Sequence, residues 1–222
     1  ADPVRGLRGM AAAMAFGGGA RAATGLLAYD SREMVKLIVN RHESGATFMA
    51  EAYAKLTGQP GVAFVTRGPG ATNAAIGVHV AHQDSSPLIL FIGQVGNDFI
   101  EREAFQEIDY RRMFGQMTKW VAQIDRADRV PEFVARAFQV ATSGRAGPVV
   151  LALPEDMQTV KADVGDALCH QPVLGAPSDT QIAALRRLLG RAQRPLVILG
   201  GFGWTPAACD NFKRFAEANY LP

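Results

Sequence analysis

Three short, unbroken apolar runs constrain this chain more than any other feature: Val62–Thr66, Leu88–Ile92 and Pro148–Leu153, each bounded by glycine or proline. A strand that is apolar at every position is buried on both faces, as in parallel sheets covered by helices. Between these runs lie stretches with helical spacing. Ser44–Leu56 carries Ala46, Met49, Ala50, Tyr53 and Ala54 at helical intervals, with Gly58 as a stop. Ala71–Ala81 predicts a second helix. Arg129–Ser143 predicts a third, with Pro131 in its first turn and Val134, Ala137, Phe138 and Ala141 on one face. The alternation predicts an α/β fold: a three-layer domain with a mostly parallel sheet flanked by helices. Ligands of such sheets lie outside the carboxyl ends of strands. Here those ends are Thr66–Asn73, Gly93–Val95 and Pro154–Asp156.

The remaining segments are less patterned. Met10–Phe16 predicts a helical turn or two, ended by Gly17-Gly18-Gly19. Arg5, Arg8 and Arg21 straddle that apolar centre, so a secretory leader is not expected there. Val35–Val39 reads as a strand entering Arg41-His42-Glu43, or as part of a helix capped by Ser31; both stay open. Gln94–Met113 predicts a loop and then a short helix, and Trp120–Ile124 a strand. The organisation expected is a domain over 1–160, a linker over 161–178 and an incomplete second α/β domain over 179–222. That last part reads as a helix Asp179–Arg191, a strand Pro195–Gly200, a turn Gly201-Phe202-Gly203 and a helix Ala207–Asn219. One or two strands cannot cover their own faces, so the chain is expected to be a piece of a longer protein.

Composition closes off several function classes. Of the 222 residues, 48% are hydrophobic and 20% charged, the balance of a globular chain with a real core. The net charge is +2 and no Lys/Arg face is clustered, so no nucleic-acid partner is expected. No apolar run approaches the roughly 18 residues of a membrane helix, so no membrane partner is expected either. Cys169 and Cys209 are far apart and suit free thiols in a reducing cytoplasm. His42, His79, His82 and His170 show no metal-ligand spacing.

Two features carry chemistry. Glu43 stands at a helix start, where the helix dipole alone would favour a carboxylate. Buried against a heterocyclic nitrogen, the same group would exchange a proton with it. Thr66-Arg67-Gly68-Pro69-Gly70-Ala71-Thr72-Asn73 follows a strand and opens a helix. Its glycines let backbone approach a ligand, although a tight strand-to-helix turn capped by Thr72 or Asn73 needs the same residues. It matches neither the dinucleotide fingerprint nor the P-loop.

Taken together and in order, several motifs resemble one family. They are Arg41-His42-Glu43, Thr66–Asn73, Gln83-Asp84-Ser85-Ser86-Pro87, Gly93-Gln94-Val95, Ala104-Phe105-Gln106-Glu107, Ser143–Val149 and Pro154-Glu155-Asp156. From about Tyr29 to Gln158 the chain resembles the N-terminal, pyrimidine-binding domain of thiamine diphosphate enzymes, nearest the acetolactate synthase-like branch. Residues 179–222 resemble the start of that family's central domain. The resemblance implies that Glu43 hydrogen-bonds N1′ of the coenzyme's aminopyrimidine and so promotes loss of the thiazolium C2 proton. The activated coenzyme then attacks a 2-keto acid such as pyruvate, and carbon dioxide leaves. Thr66, Pro69 and Asn73 match the turn lining the pyrimidine. Phe105 and Gln106 match a loop that reaches substrate in a partner's site, and Lys119 matches a basic residue of the synthase branch. A homodimer or homotetramer is implied, with magnesium and the diphosphate held by a domain not present in these residues. The 222 residues alone are therefore expected to lack turnover.

The chain also departs from the family. Residues 1–28 lack the longer helix, strand and Gly-x-Pro-Gly loop with which the family opens, Phe16-Gly17-Gly18-Gly19 being a poor stand-in, and Arg67 occupies a place where many synthases carry a small residue. Lyase and carboligase chemistry both remain open, as does a non-catalytic dimerisation or regulatory module on the same fold. A nucleotide-binding domain rests on the glycine turns alone. The small-residue helix 44–57 and the apolar region around Met113 are candidate surfaces for a twin subunit.

Overall fold

The apolar runs become adjacent strands because each needs a neighbour on both edges and a helix on both faces. The computed structural model describes residues 11–15, 36–168, 173, 175–201 and 204–221. The strands are β1 (Ala11–Ala15), β2 (Lys36–Asn40), β3 (Gly61–Val65), β4 (Leu88–Gln94), β5 (Trp120–Gln123) and β6 (Val149–Pro154). The helices among them are α1 (Glu43–Thr57), α2 (Pro69–Asp84), α3 (Tyr110–Phe114) and α4 (Val130–Thr142). The sheet order is β2-β1-β3-β4-β6-β5, and every pair is parallel. The expected three-layer α/β domain is borne out.

One face of the sheet packs Ala63, Val65, Leu88, Leu90, Ile92 and Val150 against α1, α2 and α3. The other packs Val62, Ile89, Phe91, Val149 and Leu151 against Ala137 and Ala141 of α4. β4 and β6 are buried on both faces, as their unbroken apolar runs require.

The sequence expectation of a helical turn at Met10–Phe16 is corrected. Ala11–Ala15 is a strand between β2 and β3, with Ala12 opposite both Leu37 and Val62. Pairing on both edges overrides alanine's helical preference, because propensity is weak beside tertiary context. Of the two readings of Val35–Val39, the strand is the one formed. Gly17-Gly18-Gly19, Ser31, Cys169 and His170 lie outside the described residues.

The chain forms two compact units, Ala1–Val173 and Leu174–Pro222. The second unit holds α5 (Asp179–Arg191), opened by a Ser178/Gln181 capping box, and α6 (Pro206–Ala218), capped by Thr205. The strand expected at Pro195–Gly200 is not formed, and Leu196 and Ile198 are exposed. A strand exists only against a neighbour, and the described residues of this unit offer none. No helix among the described residues is long and apolar enough to cross a membrane.

Ala46, Thr47, Ala50 and Ala54 of α1 are buried within this chain, whereas Phe48, Met49 and Leu56 of the same helix are exposed. A Cβ on Gly61 of β3 would lie 1.9 Å from the Ala50 carbonyl oxygen, and one on Gly77 of α2 2.2 Å from Thr47 Oγ1. Thr47 Oγ1 also donates to the Ala74 carbonyl of α2 at 3.3 Å. The Met113 region turns inward too: Phe114 is fully buried and Met113 packs on the same core. Gly61→Ala is therefore expected to destabilise the domain by about 1–3 kcal/mol, since backbone faces backbone and no rotamer can relieve the clash. Urea denaturation measures it through a lowered midpoint.

Candidate functional site

In this strand order the chain leaves β1 toward β2 on one side and returns to β3 on the other. The crevice beyond the carboxyl ends of β1 and β3 is the topological switch point, where open α/β sheets bind ligands. Glu43 follows β2 and Thr66 follows β3, so both border that crevice.

Glu43 is the first residue of α1. His42 is the N-cap, its Nδ1 accepting from the Ser44 amide at 3.3 Å. The helix dipole favours the anion there. Asn73 Nδ2, from the first turns of α2, donates to Glu43 Oε2 at 3.1 Å. Among the described residues Oε1 accepts no hydrogen bond, and it faces Gly70, where a Cβ would stand 3.6 Å away. The carboxylate is half-buried, with one oxygen fixed and one open.

The 66–73 turn is shaped by close approach. Gly68 has φ +57° and ψ −112°, and an added Cβ would meet the Gln106 Cβ and carbonyl oxygen at 2.7 and 2.8 Å. Only glycine fits that position. A Cβ on Gly70 would meet Thr66 Cγ2 at 2.7 Å. Pro69 is the first residue of α2 and supplies the fixed φ that starts it. Thr66 is buried at the floor of the turn.

Sequence reasoning missed Tyr110. Its hydroxyl accepts from the Gly68 amide at 3.0 Å and donates to the Gly93 carbonyl at 3.2 Å, joining the glycine turn to the end of β4. Burial pushes its phenol from the usual 10.0 up to about 12, with the Gly68 hydrogen bond and nearby Arg67 opposing the shift. A lone tyrosine at the head of a short helix carries no sequence signal for this role. Arg67 spans the same edge, its Nη1 2.7 Å from Glu155 Oε2 beyond β6. That explains how a large residue stands where a small one was expected.

Residues 97–109 fold beside this turn. Glu101, Glu103 and Gln106 have φ of +61°, +53° and +67°. Each such non-glycine residue costs roughly 1–2 kcal/mol, and strain of this kind gathers at functional sites. Gln106 is half-buried against Gly68, whereas Phe105 projects outward, 79% exposed.

The predicted site residues thus separate into groups. Glu43, Thr66, Pro69 and Asn73 come together, and Gln106 joins them through Gly68. Phe105 is exposed beside Gln106. Lys119 lies at the opposite edge: it precedes β5, its amide donates to the Pro148 carbonyl ahead of β6, and its Nζ donates to the Ser143 carbonyl at 2.6 Å. One strand length, about 15 Å, divides that edge from the cleft. Burial lowers the Lys119 ammonium below the usual lysine range. Here it holds the α4–β6 loop and borders no part of the cleft. Two motifs also meet at this edge, where Arg145 Nε donates to Ser85 Oγ at 2.8 Å and Nη2 to the His82 carbonyl at 3.1 Å, satisfying the end of α2.

Residues 4–113 match the family described as thiamine pyrophosphate enzyme, N-terminal TPP binding domain. The acetolactate synthase large subunit of Lactococcus lactis subsp. lactis is 39% identical over 194 residues, covering 86% of this chain and 34% of that protein. The probable acetolactate synthase large subunit of Methanocaldococcus jannaschii is 37% identical over 203 residues, covering 87% and 34%. The acetolactate synthase large subunit of Corynebacterium glutamicum is 35% identical over 229 aligned positions, covering 99% and 36%. The chain spans about a third of the length of the curated relatives it matches.

Tyr110→Phe leaves the Gly68 amide and the Gly93 carbonyl unpaired and is expected to cost about 1–3 kcal/mol, read from the denaturation midpoint. The pH dependence follows from the raised phenol. Its contribution is complete below the unfolded value of 10.0 and is lost as pH rises through about 12. The stability difference between wild type and Tyr110→Phe should shrink across that window.

Proposed function

This chain belongs to the thiamine pyrophosphate enzymes through their N-terminal TPP binding domain, and on that premise we propose that it forms the coenzyme-activating half of an acetolactate synthase-like active site. The observation that carries the reading is the Glu43 carboxylate at the switch point of the sheet, with Oε2 held by Asn73 and Oε1 open.

That donor set fits the aminopyrimidine of thiamine diphosphate. A ring nitrogen needs one carboxylate oxygen within hydrogen-bond reach, and Oε1 is the oxygen left for it. Asn73 fixes the carboxylate's orientation, donating to Oε2 at 3.1 Å. Thr66, Pro69 and Gly70 form the wall of the turn against which the ring would rest, since Gly70 leaves that wall without a side chain. Thiamine diphosphate supplies the electron sink for breaking a bond next to a carbonyl. Glu43 supplies the proton acceptor and donor, the role that raises rates by about 100- to 10,000-fold when a side chain is well placed.

The rest of the site is assigned to other chains or domains. The diphosphate and magnesium would be held by a separate domain, and Phe105 would reach the 2-keto acid, such as pyruvate, in a partner subunit's site. A homodimer or homotetramer built around that exchange follows, in a reducing cytoplasm to which the free, exposed Cys209 is suited. The products, by lyase or by transferase chemistry, are set by residues beyond the pyrimidine cleft. Lys119, an edge away, serves the fold in this reading.

Glu43→Gln keeps the hydrogen-bond geometry and removes the proton exchange. In the chain assembled with a diphosphate-binding domain, exchange of the coenzyme C2 proton should slow by about 100-fold or more. An unchanged exchange rate overturns the assignment. The 222 residues alone should release no carbon dioxide from pyruvate, and measurable release would show that the cleft is complete without a second domain.

A further inference from the structure

The loop after β4 contains a carboxylate with no part in the chemistry above. Glu107 Oε1 accepts from the Glu101 amide at 2.7 Å, and Oε2 accepts from the Ala104 amide at 3.2 Å. Its own amide donates to the Ala104 carbonyl at 3.0 Å, closing the turn on itself. The residues it gathers include the three left-handed non-glycines of this loop, Glu101, Glu103 and Gln106. Without a compensating partner such a turn relaxes toward ordinary backbone angles. Both oxygens of this half-buried carboxylate are spent on the backbone of the loop, at 2.7 and 3.2 Å.

The consequence reaches the cleft. Gln106 is the residue pressed against Gly68, close enough that no Cβ fits between them. Phe105, one residue before, is thrown outward. Gln94 Nε2 holds the far end of the loop through the Ile108 carbonyl at 2.9 Å, and Tyr110 ties the next turn to Gly68 and Gly93. The loop is thus anchored after Glu107 by β4, and before Gln106 by the Glu107 carboxylate.

We propose that Glu107 is a positioning residue: its carboxylate holds residues 101–107 in their left-handed turn, which keeps Gln106 on Gly68 and Phe105 presented to substrate. The presentation of Phe105 rests on the reading of Phe105 and Gln106 given above; the holding of the loop does not. Glu107→Ala removes both acceptors. Glu107→Gln keeps one oxygen and replaces the other with a donor, so it retains one of the two bonds.

Amide hydrogen exchange on the whole chain, resolved by residue, tests the holding. In Glu107→Ala the Glu101 and Ala104 amides should exchange about tenfold faster or more, and those of the 66–73 turn should follow. Glu107→Gln should fall between it and wild type. Amides of β4 and β6 should keep wild-type rates, which separates positioning from general loosening. Unchanged exchange at 101 and 104, or equal acceleration across β4 and β6, overturns the proposal. The assembled enzyme tests the presentation. A KM for the 2-keto acid raised about tenfold in both Glu107→Ala and Phe105→Ala, with kcat less affected, is the expected result. A KM raised in Phe105→Ala alone overturns the positioning role. A KM unmoved in both removes the functional reading of the loop and leaves the exchange result standing.

Discussion

The closeness of α1 to its neighbours is the constraint on which the rest depends. Ala50 lies over Gly61 of β3, and Thr47 lies over Gly77 of α2, with no room for a Cβ at either glycine. Dispersion and burial reward that approach only because small residues permit it. The approach brings the start of α1 beside the start of α2. Only then can Asn73 of one helix hold Glu43 of the other. A bulkier seam would part the two helix starts and leave the carboxylate to solvent.

A second level of order lies at the carboxyl edge of the sheet. Parallel strands put all their carboxyl ends on one side, and the loops there are tied together crosswise. Tyr110 joins the Gly68 turn to Gly93, Arg67 reaches Glu155 beyond β6, and Asn97 meets Asp156. The cleft is thus built on rigid strand ends, and the loop 97–109 is attached to it by Gln106. The opposite edge has its own ties, Arg145 to the end of α2 and Lys119 to the end of α4. Motifs that are interleaved along the chain therefore serve two different ends of the molecule.

Much of this was legible in the residues. The buried strands were readable because continuous apolar runs of five or six residues have one comfortable setting, a parallel sheet covered twice. Glu43 and the 66–73 turn were readable because a helix-start carboxylate and a glycine-proline-glycine turn are unusual together, and the ordered motifs resembled a family. The strand Ala11–Ala15 was not readable, since alanine states no preference strong enough to reveal a partner on each side. Tyr110 and Glu107 were not readable because their partners are backbone groups, Gly68 and Gly93 for one, Glu101 and Ala104 for the other, and backbone leaves no mark in a pattern of side chains. The edge that Lys119 borders was not readable either, because a position in the order of motifs says nothing about which edge of the sheet a residue meets.

The sequence by itself determined the alternation of strand and helix, the burial of the central strands, and the chemical groups available at their carboxyl ends. Those follow from local hydropathy, turn chemistry and residue type, all of which act over a few residues. Tertiary structure alone decided the strand order that opens the crevice beside β1. It also decided the contact of Glu43 with Asn73, thirty residues apart, and the edge to which each loop belongs. Such pairings join distant parts of the chain, and they are selected by how closely backbones can pack.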